Sequence, residues 1–319
     1  MTTGDNHPKN QHYVPQFLLR NFLDDTNSRI HAFDKLSGSS FSVSPRNVAA
    51  EGGFYDYDGK QDSLEPLLSR LEAKVSAIIN GIIKHESLAQ LTRDDRIWLS
   101  LFAAVQQLRV KGIRHKLKSM NAGIRRVLQE RGIDPGDVVP EMNDDDIKRQ
   151  CLSHIQMAKE FSQHYFDKLW ILQRAPDNSP FYTSDNPIAL HNLIKSPGRG
   201  NLGIISPGVE IYLPISKQFS ICFFCKSMFH AMRQELCNAE VIRKRFGCCP
   251  DLAPFEKIIK LMESGDPDLL LPDNVIHQNS LQVLQSSRFV FSSNDNFDLV
   301  RLMLARDAKL KNPPEMTVH

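Results

Sequence analysis

His12 is the side chain of this sequence best placed to do chemistry. It stands in Asn10-Gln-His-Tyr-Val-Pro-Gln-Phe-Leu-Leu-Arg-Asn-Phe22, three positions before Pro15. Proline fixes its own φ and drives Val14 toward extended backbone, so the imidazole rides on a stiff segment. Imidazole changes charge near neutral pH and serves as general base, general acid or metal ligand. The competing reading is a histidine bonded to backbone beside Phe17, Leu18 and Phe22, packed as an N-terminal anchor. A second polar group fixed ahead of a proline is Asp185, in Thr183-Ser-Asp-Asn-Pro187. A strand end gives such a carboxylate a rigid position, and the loop after it gives access. Asp-Asn-Pro is equally an Asx turn whose carboxylate accepts backbone N–H groups. Asn186 shares this corner and joins the candidate ligand contacts.

Gln106 and Arg109 stand three apart, a spacing that puts both on one helical face. Arginine offers a planar fork matched to carboxylate or phosphate. Arg109 could equally be the buried partner of Asp185, or of Glu65 and Glu72, which are seven apart and share a face of the preceding helix. Cys222-Phe-Phe-Cys225 has the spacing of a zinc or redox pair, but strand positions three apart point to opposite faces, so the flanking pattern favours buried thiols acting as small hydrophobes. No zinc site is expected of these cysteines. The six cysteines, five of them between 222 and 249, are too few for a disulfide scaffold at this size and read as reduced. No GxxxxGK[ST], GxGxxG, GxSxG or HExxH string occurs, which argues against several large enzyme classes.

The elements that must position these groups follow from periodicity. Arg29–Lys35 and Ser40–Ser44 alternate apolar and polar residues around Leu36-Ser-Gly-Ser39, a small N-terminal β-hairpin. Apolar residues at 64, 67, 68, 71, 75, 78, 79 and 82 predict a helix over 63–85. Thr92 followed by Asp95 is a variant capping box opening a second helix, whose C-terminal end is expected to be a basic segment. A third helix is expected over 144–168, beginning in three aspartates suited to the positive end of its macrodipole. Beyond Trp170 the pattern changes to short strands at 170–174, 181–183, 209–213 and 219–225. Helices near 235–245, 254–262 and 274–287, a strand at 288–292 and a terminal helix over 296–309 complete the chain. Residues 193–205 read as an exposed loop. The fold class is α+β: a helix-rich middle of three long helices, a small N-terminal hairpin and a mainly antiparallel C-terminal sheet.

At 319 residues, a chain can bury roughly 75% of its unfolded surface and stands near the size where one core divides into two. One domain over 1–319 and two fused lobes, 1–169 and 170–319, both remain open. A hydrophobic fraction of 41% and a charged fraction of 24% are ordinary for a folded globular protein. No apolar run approaches the ~20 residues of a membrane span and the first residues lack a signal-peptide core, so a cytoplasmic location without membrane contact is expected. The net charge of +2 gives no overall pull on polyanions. Locally, residues 109–131 carry eight basic residues against the single acid Glu130. Arg114, Arg125 and Arg126 in that stretch are candidates for holding phosphate, unless the acids at 134–146 neutralise it.

At Gln11-His12-Tyr13-Val14-Pro15 the chain resembles a bacterial family of unknown function, DUF4238, whose hallmark is His-Tyr-Val-Pro followed by Leu-Arg-x-Phe, here Leu19-Arg20-Asn21-Phe22. Phe54-Tyr55, Glu72, Arg109, Trp170, Phe181-Tyr-Thr-Ser-Asp-Asn-Pro187 and Arg288-Phe-Val-Phe-Ser292 continue the likeness over most of the chain. After Arg109 the sequence departs from the pattern, with Val110-Lys111 in place of Thr-Pro. The resemblance implies no activity. From the residues themselves, two functions are expected. In the first, His12, Gln106, Arg109 and Asp185 converge on a phosphorylated or nucleic-acid ligand and hydrolyse a phosphodiester; His12 is the base, Arg109 holds the developing charge, and Asp185 orients the imidazole or binds a divalent cation. In the second, the basic 109–131 surface recognises nucleic acid or protein without catalysis.

Overall fold

The computed structural model describes residues 10–56, 64–192, 194, 202–247 and 253–316. The first elements are β1 (Asn10–His12), α1 (Gln16–Arg20), β2 (Ile30–Asp34), β3 (Ser39–Val43) and β4 (Ala50–Gly52). A helical stretch follows: α2 (Leu64–His85), α3 (Arg93–Leu108), α4 (Lys111–Glu130), α5 (Asp144–Gln156) and α6 (Ala158–Phe166). Strands β5 (Leu169–Arg174), β6 (Thr183–Ser184), β7 (Ala189–Asn192), β8 (Val209–Pro214) and β9 (Phe219–Phe224) come next. The chain continues through α7 (Lys226–Phe246), α8 (Ala253–Ser264), β10 (Asp268–Leu269), α9 (Pro272–Gln285), β11 (Phe289–Ser292) and α10 (Asp298–Arg306). The class is α+β. Among the described residues no helix is long and apolar enough to cross a membrane. Most of the loop expected over 193–205, together with Cys248 and Cys249, lies outside the described residues.

The expected hairpin forms, with Ile30 opposite Val43 and Asp34 opposite Ser39. It does not stand alone. β11, from the far end of the chain, pairs antiparallel with β2, and β6 pairs with β11, giving the order β3-β2-β11-β6. Of the strand expected at 181–183, only Thr183 belongs to the ladder. Phe181 and Tyr182 instead give their amides to the Lys217 carbonyl (2.9 Å) and to Asn279 Oδ1 (2.7 Å). The second sheet, β10-β5-β9-β8-β7, is antiparallel except for the short parallel pair β10–β5.

Thr92 caps α3 as the sequence implies: its hydroxyl accepts the Asp95 amide at 3.1 Å, and Asp95 accepts the Thr92 amide at 3.1 Å. The expectation that α3 runs on into the basic segment is corrected. The helix stops at Leu108, buried Val110 adopts extended backbone (φ −88°, ψ 155°), and the basic residues form the separate helix α4. Likewise 144–168 is two helices joined at Met157 (φ −82°, ψ 4°). Ile147 and Cys151 of α5 pack with Leu117 of α4, while Leu152 and Ile155 of α5 join Ala158 and Tyr165 of α6 in the main core. That core draws on Leu18, Phe22, Ile79, Phe102, Leu213 and Phe291, from both ends of the sequence. Phe223 of β9 meets Tyr165 and Trp170 edge-on at 5.2 and 4.9 Å, clamping α6 to the sheet.

Candidate functional site

β1 pairs with β4, His12 opposite Ala50, and this short ladder aims the proline motif. Gln11 is buried beneath it, accepting the Tyr55 amide at 2.6 Å and donating to Asp56 at 3.3 Å. The Tyr13 amide donates to the Ala49 carbonyl at 3.0 Å, and Ala49 takes a left-handed φ of 51° to present it. Pro15, at φ −63°, starts α1. The motif is then tied to the helices by a chain of side chains. Gln106 Nε2 donates to the Tyr13 carbonyl at 2.9 Å, Arg109 Nε donates to Gln106 Oε1 at 2.9 Å, and Arg109 Nη1 reaches Glu72 of α2 at 2.7 Å. Tyr55 closes the group by donating its hydroxyl to the His12 carbonyl at 3.3 Å. Gln106 and Arg109 thus share a face, as their spacing requires, but that face looks inward. The Arg109 side chain is 0% exposed, and of the partners open to it in the sequence it takes Glu72.

His12 opens on the other side, into a polar cleft of about 750 Å³ that it lines with Glu72, Glu65, Arg20, Arg46 and Asn47. Its Nε2 is enclosed and has no hydrogen-bond partner among the described residues. Burial lowers the pKa of this imidazole below 6.5; the nearby Arg46 and Pro45 carbonyls and the Glu72 charge oppose that shift, and the Arg109 charge reinforces it. The ring is therefore held neutral near pH 7. Below 6.5 the unfolded chain binds this proton more readily than the folded one, so the associated stability is complete above 6.5 and declines as the pH falls through it. An NMR titration of the His12 ring is expected to give a midpoint below 6.5. In Glu72→Gln the midpoint should fall further, because a charge favouring imidazolium is gone; an unchanged midpoint would detach Glu72 from His12. Arg20 and Arg46 are both exposed, and Arg20 leans on Gln16 at 3.0 Å. Neither arginine was marked by spacing. Arg20 carried a signal in the Leu-Arg-x-Phe string, whereas Arg46 carried none.

Asp185 is elsewhere. It is 1% exposed and lines a separate cavity of about 300 Å³ that shares no lining residue with the His12 cleft. Its Oδ1 accepts the Ser287 amide at 2.7 Å, and its Oδ2 accepts the Arg288 and Phe289 amides at 2.7 and 3.0 Å. The juxtaposition of His12 and Asp185 expected from the two proline corners is therefore not what the fold makes: this carboxylate is spent on the start of β11. Burial pushes the Asp185 carboxyl up, against the three amides and the Lys35 charge. Asn186 is also structural, its amide donating to Ser184 Oγ at 3.2 Å and its Nδ2 to the Gln285 carbonyl at 3.0 Å.

The basic segment is largely paired within the molecule. Lys111 and Arg114 meet Glu51 at 2.6 and 3.3 Å, and the Arg114 guanidinium lies 3.7 Å from the Phe54 ring centroid. Lys118 reaches Asp144 at 3.5 Å, Arg126 reaches Glu130 at 3.8 Å, and Arg125 donates to the Val139 carbonyl. These contacts spend charge that the second expected function needs. Cys222 is buried in β9, and Cys225 begins α7. Among the described residues no three His, Cys, Asp or Glu side chains are grouped to hold a metal ion.

The family model described as "Protein of unknown function (DUF4238)" matches residues 10–296. No curated protein and no solved structure matches the chain. The chain belongs to the DUF4238 family.

Proposed function

We propose that this DUF4238 member binds the anionic group of a phosphorylated or nucleic-acid ligand in the His12 cleft and hydrolyses a phosphodiester there. One observation carries the reading: a neutral imidazole with an unpartnered Nε2 lines the same polar cleft as two exposed guanidiniums. The cleft volume is that of a small-molecule or nucleotide site. Arg20 and Arg46 supply forks suited to phosphate oxygens. The imidazole of His12, neutral at working pH, accepts the proton of the water that attacks phosphorus, Glu72 stabilises the imidazolium that results, and the imidazolium returns the proton to the alkoxide that leaves as the ester P–O bond breaks. Arg109 and Gln106 act as positioning residues: they fix Glu72 and the Tyr13 carbonyl, and do not touch the ligand.

The test uses bis(4-nitrophenyl) phosphate and a fluorescent single-stranded oligonucleotide as probes. His12→Gln is expected to reduce hydrolysis about a hundredfold or more, with the melting transition little changed. Arg20→Met with Arg46→Met should weaken probe binding while leaving the His12 midpoint in place. Hydrolysis that survives His12→Gln would sink the proposal. If, instead, nucleic-acid binding is salt-sensitive, lost in Arg125→Glu with Arg126→Glu and intact in His12→Gln, the basic surface is the functional one.

A further inference from the structure

The smaller cavity, on the far side of the proline motif from His12, has the construction of an anion site. Along β1 and the residue after it, His12 lines one cavity and Tyr13 the other. Lys111, His115, Arg288 and Lys311 bring basic side chains to the lining; Lys111 is already paired with Glu51 at 2.6 Å and Arg288 with Asp34 at 2.7 Å, Lys311 adds an exposed ammonium, and the Asp185 oxygens already accept three amides. The first turn of α4, a helix of 20 residues, begins here at Lys111 and Gly112. Its leading amides have no acceptor inside the helix, and Val110 provides no side-chain cap. Such amides, with the helix macrodipole behind them, favour an anion.

The second observation is Ser287. It is 3% exposed, it lines this cavity, and its Oγ has no hydrogen-bond partner among the described residues. The hydroxyl is directed at the first turn of α4, within 3.3 Å of where a Cβ on Gly112 would stand. A buried hydroxyl without an acceptor costs stability, so its retention beside uncapped amides and the Lys311 ammonium points to an occupant that accepts hydrogen bonds. We infer that the cavity formed by the α4 N-terminus, Ser287, His115, Arg288 and Lys311 binds a phosphate group, free or as a small monoester, at a site separate from the His12 cleft. A volume of about 300 Å³ admits a ligand of that size.

The full ¹⁵N-labelled chain would be titrated with inorganic phosphate and, separately, with glycerol phosphate. The Lys111 and Gly112 amides should shift saturably. The His115 ring, whose pKa is held below 6.5 by burial and by the Lys111, Lys118 and Arg114 charges, should titrate at higher pH when phosphate is bound. Ser287→Ala should weaken binding about fivefold with an unchanged or higher melting temperature, since it deletes an unsatisfied hydroxyl. Lys311→Met, at an exposed rim position, should weaken binding without disturbing the core, and His12→Gln should leave it intact. Tighter binding of glycerol phosphate would identify a monoester as the occupant, and equal binding the phosphate group alone. Amides at 111 and 112 that do not respond, a response confined to the His12 ring, or full affinity in both Ser287→Ala and Lys311→Met would each overturn the inference.

Discussion

Glu72→Leu is expected to destabilise the protein by about 3–5 kcal/mol, because it strips a fully enclosed guanidinium of its counter-charge. Arg109 is 0% exposed and meets Glu72 at 2.7 Å. One of its terminal nitrogens, Nη2, already lacks a hydrogen-bond partner among the described residues, so the arginine has little else to fall back on. Its other side-chain neighbours, Gln106 Oε1 and the Tyr55 hydroxyl, are neutral groups. The decisive comparison is the double variant Glu72→Leu with Arg109→Met, in which no buried charge is left alone. Urea unfolding should show it recovering much of the loss, a coupling energy well above the few tenths expected of independent sites. Additive losses would mean that the pair is not the unit described here. On the proposed mechanism the double variant, though folded, should lack hydrolysis, because an imidazolium formed at His12 would have lost its carboxylate.

Asp185→Ala is expected to cost a similar amount, about 4 kcal/mol, for a different reason. The substitution orphans the amides of Ser287, Arg288 and Phe289 around the start of β11, the first buried and the other two partly so, and each unmet buried amide costs roughly 1–3 kcal/mol. It also removes a charge that supports Lys35, which is 0% exposed and donates to the Val283 and Ser286 carbonyls at 3.1 and 2.7 Å. Burial already lowers the Lys35 ammonium to about 8. Asp185→Asn should recover little, since its Nδ2 would face amide donors. Chemical denaturation checks the cost. A folded Asp185→Ala protein of near-normal stability that has lost the proposed hydrolysis would return this carboxylate to the proposed site.

What the residues of the proline motif do depends on which side of the backbone each one faces. A strand sends successive side chains to opposite faces. His12 and Tyr13 accordingly line different cavities, and Asp185, joined to the Tyr13 cavity, never meets His12. From the sequence, the two proline corners looked like halves of one site because both present a polar group on a stiff support. Stiffness is local; convergence is not. Glu72 was legible as a partner for Arg109, through its spacing from Glu65 on α2, and as a position of the family pattern. Its presence in the His12 cleft needed α2, α3 and β1 to be packed.

The sequence by itself determined the α+β class, the β2–β3 hairpin, the α2 stripe, the Thr92 cap and membership of the family. The hairpin, the stripe and the cap are each encoded locally, by period or capping chemistry, and the class and the family by the order of such local signals and motifs along the chain. Tertiary structure alone decided that α3 and α4 are separate helices, that β11 completes the sheet of β2, and that His12 faces Glu72 and two arginines instead of Asp185. Those outcomes turn on contacts between residues tens to hundreds of positions apart, such as Arg109 with Glu72 and Arg288 with Asp34. The burial of a charge selects such partners, and it exists only once the core has closed around them.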